Sequence, residues 1–394
     1  MRNITKLTLL LCVLLTLVAS SIFAMRGGNA RASGPVNDDP MVKLIAYPDF
    51  RLKSRVGSVT PNVNGFTPAQ LQQAYGLNVF QSGGAGVIVA VIDACGNSHV
   101  QADLHAFDLA YNLPATTIRV VKPEGTPCSD PRNWGIETDL DVQMVHAVAP
   151  FATIVLEEAK TASFADLIKA AQDAYMKQGA TIVSMSFSGP EFSGETGSRA
   201  DGVFSQGNAL GVSFTAASGD NGCGAQYPAA SPYVLSVGGT SLNLSATGTY
   251  STETAWKGSG GGLSAYESRP VYQNGVNASG KRAIPDVSIV ADPNTGVAMY
   301  DSDIGDFNVA GGTSVGAPLW AGILALANSM RFFSMTNASN DLYTVAYSRY
   351  TSNYHDIKSG SSGSACIAGP GYDTVTGLGS PVSVHLVPNL TIAP

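Results

Sequence analysis

Gly311-Gly312-Thr313-Ser314-Val315-Gly316-Ala317-Pro318 runs without a break into the apolar stretch Leu319 to Ala327. The apolar stretch reads as a buried helix that starts at the serine. A serine there stands at the positive end of the helix dipole, where negative charge developing during acyl transfer is favoured. The small residues around it let a substrate backbone come close. Taken alone, the same serine reads more plainly as a helix N-cap. What decides between a cap and a nucleophile lies upstream.

Upstream, short β-branched and apolar runs recur at Val87 to Asp93, Ile118 to Val121, Thr153 to Leu156, Thr181 to Phe187, Val212 to Ala216 and Val234 to Val237. Runs of this length without polar alternation predict strands buried on both faces. Helical stretches separate several of them. Ser163 to Gly179 begins with a Ser cap, has an Asp three residues on and carries an apolar face at Leu167, Ala170, Ala171 and Ala174. Thr67-Pro68-Ala69-Gln70 is a capping box with Pro at the first helical position, opening a short helix that ends near Gly76. Strands alternating with helices predict an α/β fold with a parallel β-sheet and helices on both faces.

Gly135-Ile136-Glu137-Thr138-Asp139-Leu140-Asp141-Val142 precedes Val145-His146-Ala147-Val148-Ala149-Pro150. Glu137 and Asp141 are four apart, so on a helix they share a face with Cβ atoms ~5–6 Å apart. If both are partly buried, one holds a proton while the other accepts one. A solvated acidic helix face is the plainer alternative, and Asp139, pointing the other way, reads as a surface residue. Asp93 either joins the carboxylates or ends a strand. Asp220, in Ala217-Ser218-Gly219-Asp220-Asn221-Gly222 after a strand, reads in isolation as a turn former.

Gly-Thr-Ser with Pro four residues after the serine resembles the nucleophile motif of subtilisins and sedolisins. Subtilisins present their base as His-Gly-Thr-His, and none of the five histidines here (His99, His105, His146, His355, His385) is followed by Gly. Asp93 does resemble the subtilisin triad aspartate, which keeps that family as the rival reading. The segments around Glu137, Asp220 and Ser314 together are similar to the sedolisin family of serine-carboxyl peptidases, from about Phe66 to Pro381. The resemblance implies a subtilisin-like fold and an endopeptidase acting in acid. It makes Ser314 the nucleophile, Glu137 the general base, Asp141 its support and Asp220 the oxyanion-hole residue. Carboxyl chemistry suits acid because an imidazole with a pKa near ~6.5 is protonated there, whereas a carboxylate still accepts a proton. Where some relatives carry an acid after the oxyanion aspartate, this chain has Asn221, so no acidic substrate pocket is implied. A catalytically silent binding module on the same fold is the third reading.

The resemblance also covers His355-Asp356-Ile357-Lys358-Ser359-Gly360 and Ala368-Gly369-Pro370-Gly371-Tyr372-Asp373. It implies Ca²⁺ held by Asp356, Asp373 and the carbonyls of Ile357, Gly369 and Gly371, a set suited to a hard cation.

Bulk properties agree with a single catalytic unit. The chain has 394 residues, 44% hydrophobic, 13% charged, with a net charge of −7. The absence of any Lys/Arg block argues against nucleic acid as a partner. Arg2 and Lys6, the apolar run Leu9 to Val18 and small residues at Ala19 to Ala24 read as a secretory signal over 1–24. The run is shorter than the ~20 residues that span a bilayer, so no stable membrane anchor is expected. Residues 25–60 read as a linker or short pro-segment, too short for the large folded prodomain that sedolisins usually carry, and residues 61–394 as the peptidase domain, folded from near Phe66. Cys95, Cys128, Cys223 and Cys366 suit two disulfides in an oxidising compartment, with three connectivities open. The expected product is a secreted, monomeric enzyme whose partners are proteins and peptides.

Overall fold

Alternate residues of the run Val89 to Ile92 face different cores, and this splits the molecule into its layers. Val89 and Val91 belong to one hydrophobic cluster, Ala90 and Ile92 to the other. A strand buried on both faces has no room for polar alternation. In the computed structural model, which describes residues 39–53, 65–80, 83–129 and 132–393, this run lies within β1 (Ile88–Ala94). The other strands of its sheet are β2 (Arg119–Val121), β3 (Thr153–Ala159), β4 (Ile182–Met185), β5 (Ser213–Ala217), β6 (Val234–Leu244), β7 (Tyr250–Ala255) and β8 (Val287–Val290). Their order is β7-β6-β5-β4-β1-β3-β2, with β8 also on β6. Every pairing is parallel except β6 with β7.

From central β1 the chain winds first towards β3 and β2, then back through β4, β5 and β6. Connections therefore diverge beside β1 and leave a crevice at the carboxyl ends of β1, β4 and β5. The helices that matter are α1 (Val100–Tyr111), α2 (Trp134–Val148), α3 (Phe164–Met176), α4 (Asp201–Ala209) and α5 (Thr313–Ser329). Side chains of α2 and α5 share the core of Val89 and Val91, while those of α3 and α4 share the core of Ala90 and Ile92. The fold is thus α/β and subtilisin-like, with helices on both faces.

Local chemistry explains the elements. Ser163 caps α3 by accepting from Asp166 N–H, and Leu167, Ile168, Ala170, Ala171 and Ala174 form its buried face. Thr67 and Gln70 close the expected capping box at the helix Pro68–Ala74. Every residue of α5 from Thr313 to Asn328 is buried, and each large aliphatic side chain there contributes about 1.5–3 kcal/mol. The cysteines pair Cys95 with Cys128 and Cys223 with Cys366, one of the three open connectivities.

Several expectations need correction. Ser314 is not a cap: α5 starts at Thr313 and its N-cap is Gly312, at φ 100°. The run Thr181 to Phe187 is two strands, Ile182–Met185 and Phe187–Pro190, parted at Ser186. Folding also does not begin near Phe66. Pro40–Lys43 is helical, Tyr47–Pro48 pairs with Phe187 and Ser188, and Arg51–Leu52 pairs with Ala310 and Gly311. The short runs here, with Pro40 and Pro48 among them, carry no helical or alternating period that would announce a backbone pairing with two strand edges. The expected signal, 1–24, lies outside the described residues.

Candidate active site

Four elements bring their ends to the crevice. β1 delivers Asp93, α2 delivers Glu137 and Asp141 on one face, the turn after β5 delivers Asp220, and the start of α5 delivers Ser314. Glu137, Asp141, Asp93 and Ser314 are each 0% exposed, so the solvated-face alternative for Glu137 and Asp141 is overturned. Asp139, expected at the surface, is buried as well, because α2 is covered on all sides.

The Glu137 carboxyl lies against the Ser314 hydroxyl and is held well above the usual carboxylate range, first by burial and then by Asp141 and Asp93; the hydroxyl works the other way. Asp141 is likewise raised by burial and by Asp93, while the hydrogen bond from Ser186 and the neighbouring Glu137 carboxyl lower it. Three buried carboxyls this close cannot all ionise, so the group retains protons. Ser186, at the break between the two strands, ties the parts together. Its Oγ donates to Asp141 Oδ1 at 2.7 Å, and its carbonyl oxygen accepts from Ser314 Oγ at 3.1 Å. Proton transfer to Glu137 needs only a rotation of the Ser314 hydroxyl away from that carbonyl.

Asp220 is 6% exposed and accepts through Oδ1 from Thr313 N–H (2.8 Å) and Thr313 Oγ (3.0 Å). Burial pushes it up to about 7, with the Thr313 bonds and Arg51 opposing. A protonated Asp220 can donate through Oδ2, which has no hydrogen-bond partner among the described residues. Gly312 stands where only a glycine fits: a Cβ there would lie 2.6 Å from Asp220 Oδ2 and 2.2 Å from the carbonyl oxygen of Asp49.

None of the histidines replaces Glu137. His146 is fully buried elsewhere, with Nε2 3.2 Å from Asp108 and 2.8 Å from the Pro114 carbonyl.

The C-terminal segments also come together. Asp356 Oδ1 accepts from Gly371 N–H at 2.9 Å and from Tyr350 O–H at 3.0 Å, while Asp373 accepts from Gly369, Val375 and Thr376 N–H. Burial raises Asp373. A Cβ on Gly369 or Gly371 would meet nothing within 4 Å, so both glycines border open space. Two carboxylates and peptide oxygens around such a space fit a hard cation. A second acidic group went unforeseen. Asp103, Asp139 and Asp301 are buried with one carboxylate oxygen each, all within 4.8 Å of one another, and could hold a metal ion.

Sequence reasoning missed Ser186, which read as mid-strand, and Thr313, which reads as part of the motif without a role of its own. It also missed the Asp49 segment, for which no sequence signal exists beyond Tyr-Pro-Asp-Phe-Arg in extended, Pro-containing chain.

Among known proteins, the subtilase family profile matches residues 115–369. Kumamolisin of Bacillus sp. (strain MN-32) is 33% identical over 387 residues, covering 87% of this chain and 68% of that one. Sedolisin of Pseudomonas sp. (strain 101) is 29% identical, covering 85% of this chain and 63% of that one. The chain therefore spans about two thirds of these relatives. Among solved structures, Pseudomonas sedolisin, a serine-carboxyl proteinase complexed with two molecules of pseudo-iodotyrostatin, superposes with a TM-score of 0.74 at 28% identity, covering 84% of this chain and 98% of that one. Sphericase shares the fold at a TM-score of 0.54 and 20% identity.

Proposed function

The chain belongs to the subtilase family, in the serine-carboxyl group that kumamolisin and sedolisin represent, and from that premise we propose that it is a secreted endopeptidase working in acid. The observation that carries the reading is the buried run Ser314, Glu137, Asp141 and Asp93 with no histidine in it.

Ser314 Oγ attacks the scissile carbonyl carbon and passes its proton to Glu137. Asp141 and Asp93 hold the protons the group shares, which relieves their repulsion on Glu137 and lets it be ionised and take that proton. The oxyanion is met by Ser314 N–H and the protonated carboxyl of Asp220. Glu137 then gives the proton to the leaving amine, and water hydrolyses the acyl-enzyme with Glu137 as base. Two features suit the chemistry to acid: Asp220 must hold a proton to donate, and a histidine base would be cationic there.

Asp356, Asp373 and the carbonyls of Ile357, Gly369 and Gly371 would hold calcium, which would tie the two loops together by neutralising their half-buried carboxylates. Residues 1–24 are read as an export leader, 25–60 as a linker or short pro-segment whose strands at 47–48 and 51–52 pair with the domain, and 61–394 as the peptidase domain. Two disulfides fit an oxidising destination. Among the described residues no helix is long and apolar enough to cross a membrane.

The test is the pH profile of casein hydrolysis by wild type and Ser314→Ala. A Ser314-dependent acidic optimum is expected. A neutral-to-alkaline optimum would favour histidine-type subtilisin chemistry, and no cleavage at any pH would leave a silent binding module.

A further inference from the structure

Helix α2 buries three acidic residues within five positions, and only two of them serve the reaction. Glu137 and Asp141 look into the crevice, while Asp139, on another side of the helix, meets Asp103 of α1 and Asp301 at the end of the strand Val297–Asp301. One carboxylate oxygen from each of the three lies within 4.8 Å of the others, and the side chains of Asp103, Asp139 and Asp301 are 2%, 0% and 1% exposed. Acidic side chains gather in many proteins without an ion, so what matters is how each carboxyl is held.

Donors fix one oxygen of each. Ser302 N–H and Oγ donate to Asp103 Oδ2 at 3.1 and 3.0 Å, Asn97 Nδ2 donates to Asp139 Oδ2 at 2.7 Å, and Asp303 and Ile304 N–H donate to Asp301 Oδ1 at 2.8 and 3.2 Å. Ligating carboxylates are oriented by outer partners in the same manner. With Oδ2 bonded to Asn97, Oδ1 is the oxygen that Asp139 has left to offer. It is buried and has no hydrogen-bond partner among the described residues. Such an orphan calls for an ion, a water or a proton.

Spacing separates these choices. A proton shared between carboxyls needs oxygens about 2.5–2.7 Å apart, and among the described residues no carboxyl-to-carboxyl hydrogen bond joins Asp139 to Asp103 or Asp301. Oxygens on opposite sides of a cation at ~2.0–2.6 Å stand ~4–5 Å apart, and all three oxygens here fall within 4.8 Å. The surroundings add negative charge. Burial, Asp103 and Asp301 push Asp139 up to about 9, with Asp303 adding to them and the Asn97 amide opposing.

We propose that Asp103, Asp139 and Asp301 form a binding site for a hard divalent cation of the Mn²⁺, Mg²⁺ or Ca²⁺ class, which carboxylate oxygens suit. The site shares no residue with the C-terminal loop. Its ion clips α1 and the turn after Asp301 to α2. Gln143 already ties α2 to the strand, its Nε2 donating to the Tyr300 carbonyl at 2.7 Å and its Oε1 accepting from Tyr300 N–H at 2.9 Å. Asp139, one helical turn away, is thereby held over Asp301. The ion braces the back of the helix whose other face presents Glu137 and Asp141.

The experiment titrates the full chain at pH 7 with Mn²⁺, counting bound ions from the paramagnetic resonance signal of the free ion, and records thermal melts alongside. Wild type should bind one Mn²⁺ more than Asp139→Asn, a change that keeps the side-chain shape. Mn²⁺ should also raise the melting temperature of wild type by a few degrees more than that of the variant. Asn97→Ala, which removes only an outer partner, should weaken binding of that same ion by roughly 10–100-fold. Should Asp139→Asn not fold, Asp103→Asn makes the same count from another element. Equal ion counts in wild type and the folded variant would overturn the site, Asp139 then holding a proton and any bound ions belonging elsewhere. A wild-type melt no more responsive to Mn²⁺ than the variant's would overturn it too. Neither readout involves peptide hydrolysis, so the site stands or falls apart from the peptidase reading.

Discussion

The molecule buries charge in two opposite ways. Beside β6, Arg282 and Asp286 are both 0% exposed and form a two-pronged pair, Nη1 to Oδ1 at 2.6 Å and Nη2 to Oδ2 at 2.5 Å. Tyr343 O–H and Ser236 N–H also donate to that carboxylate. At the crevice, Asp93, Glu137 and Asp141 are equally buried, yet burial and the neighbouring carboxyls raise Glu137 and Asp141, and both oxygens of Glu137 and Oδ2 of Asp141 have no hydrogen-bond partner among the described residues. The first arrangement satisfies its charge and holds the structure. The second leaves its charge unsettled, so protons move easily within it, at a cost in stability borne by the surrounding core.

The sharpest way to break this contrast is Glu137→Gln. Turnover should fall by roughly 10⁴–10⁶, the range for losing a member of a hydrolytic triad. Stability should move the other way. Glu137 is raised in the folded state, so its favourable contribution is complete below its unfolded value and disappears as pH rises through the folded one. Thermal melts at pH 8 should therefore show the glutamine variant above wild type, with the gap closing by pH 3. A variant less stable than wild type at pH 8 would mean that the carboxyl is paired after all.

Arg282→Met tests the other region. It strands Asp286 in the core and should cost about 3–5 kcal/mol in urea unfolding at pH 7, while activity per folded molecule stays as it was. A loss below 1 kcal/mol would show that water reaches the site.

Asp220 stands between the two, paired with Thr313 yet raised to about 7. Asp220→Ala should lower turnover by roughly 10²–10³. Asp220→Asn keeps a donor that needs no proton, so its residual activity should persist to higher pH than that of wild type. If the alkaline limb stays put, the limb belongs to Glu137 and Asp141.

The smallest expected effect is that of chelation. If Asp356 and Asp373 hold calcium, removing it should lower the melting temperature by a few degrees, since a ligand at 100 times its Kd stabilises by about 2.7 kcal/mol. An unchanged melt after verified calcium removal would discard that site and direct attention to Asp103, Asp139 and Asp301.

What the sequence made legible follows the range of the interactions involved. Glu137 and Asp141 could be paired because helix geometry alone brings residues four apart together. The sheet could be read because Val89 to Ile92 is apolar on both faces. Asp139 was misread because the same geometry says which way it points but not what covers that side, and here α1 and the loop at Asp301 do. Asp49 was invisible for a related reason. Its role comes from contacts with Ser186 and Ser314, 137 and 265 positions away in the numbering, and an extended segment with a Pro carries no periodicity to announce them.

The two disulfides have a consequence beyond cross-linking. Cys95 comes two residues after Asp93, and Cys223 three residues after Asp220, so each bridge fastens the chain just beyond a site carboxyl. The redox state of the surroundings thereby becomes a condition on catalytic alignment, and the thiol form would keep its sheet while its carboxyls drift. In a reductant titration, peptidase activity should fade before the far-ultraviolet circular dichroism changes. Simultaneous loss would mean that the bridges serve the fold as a whole.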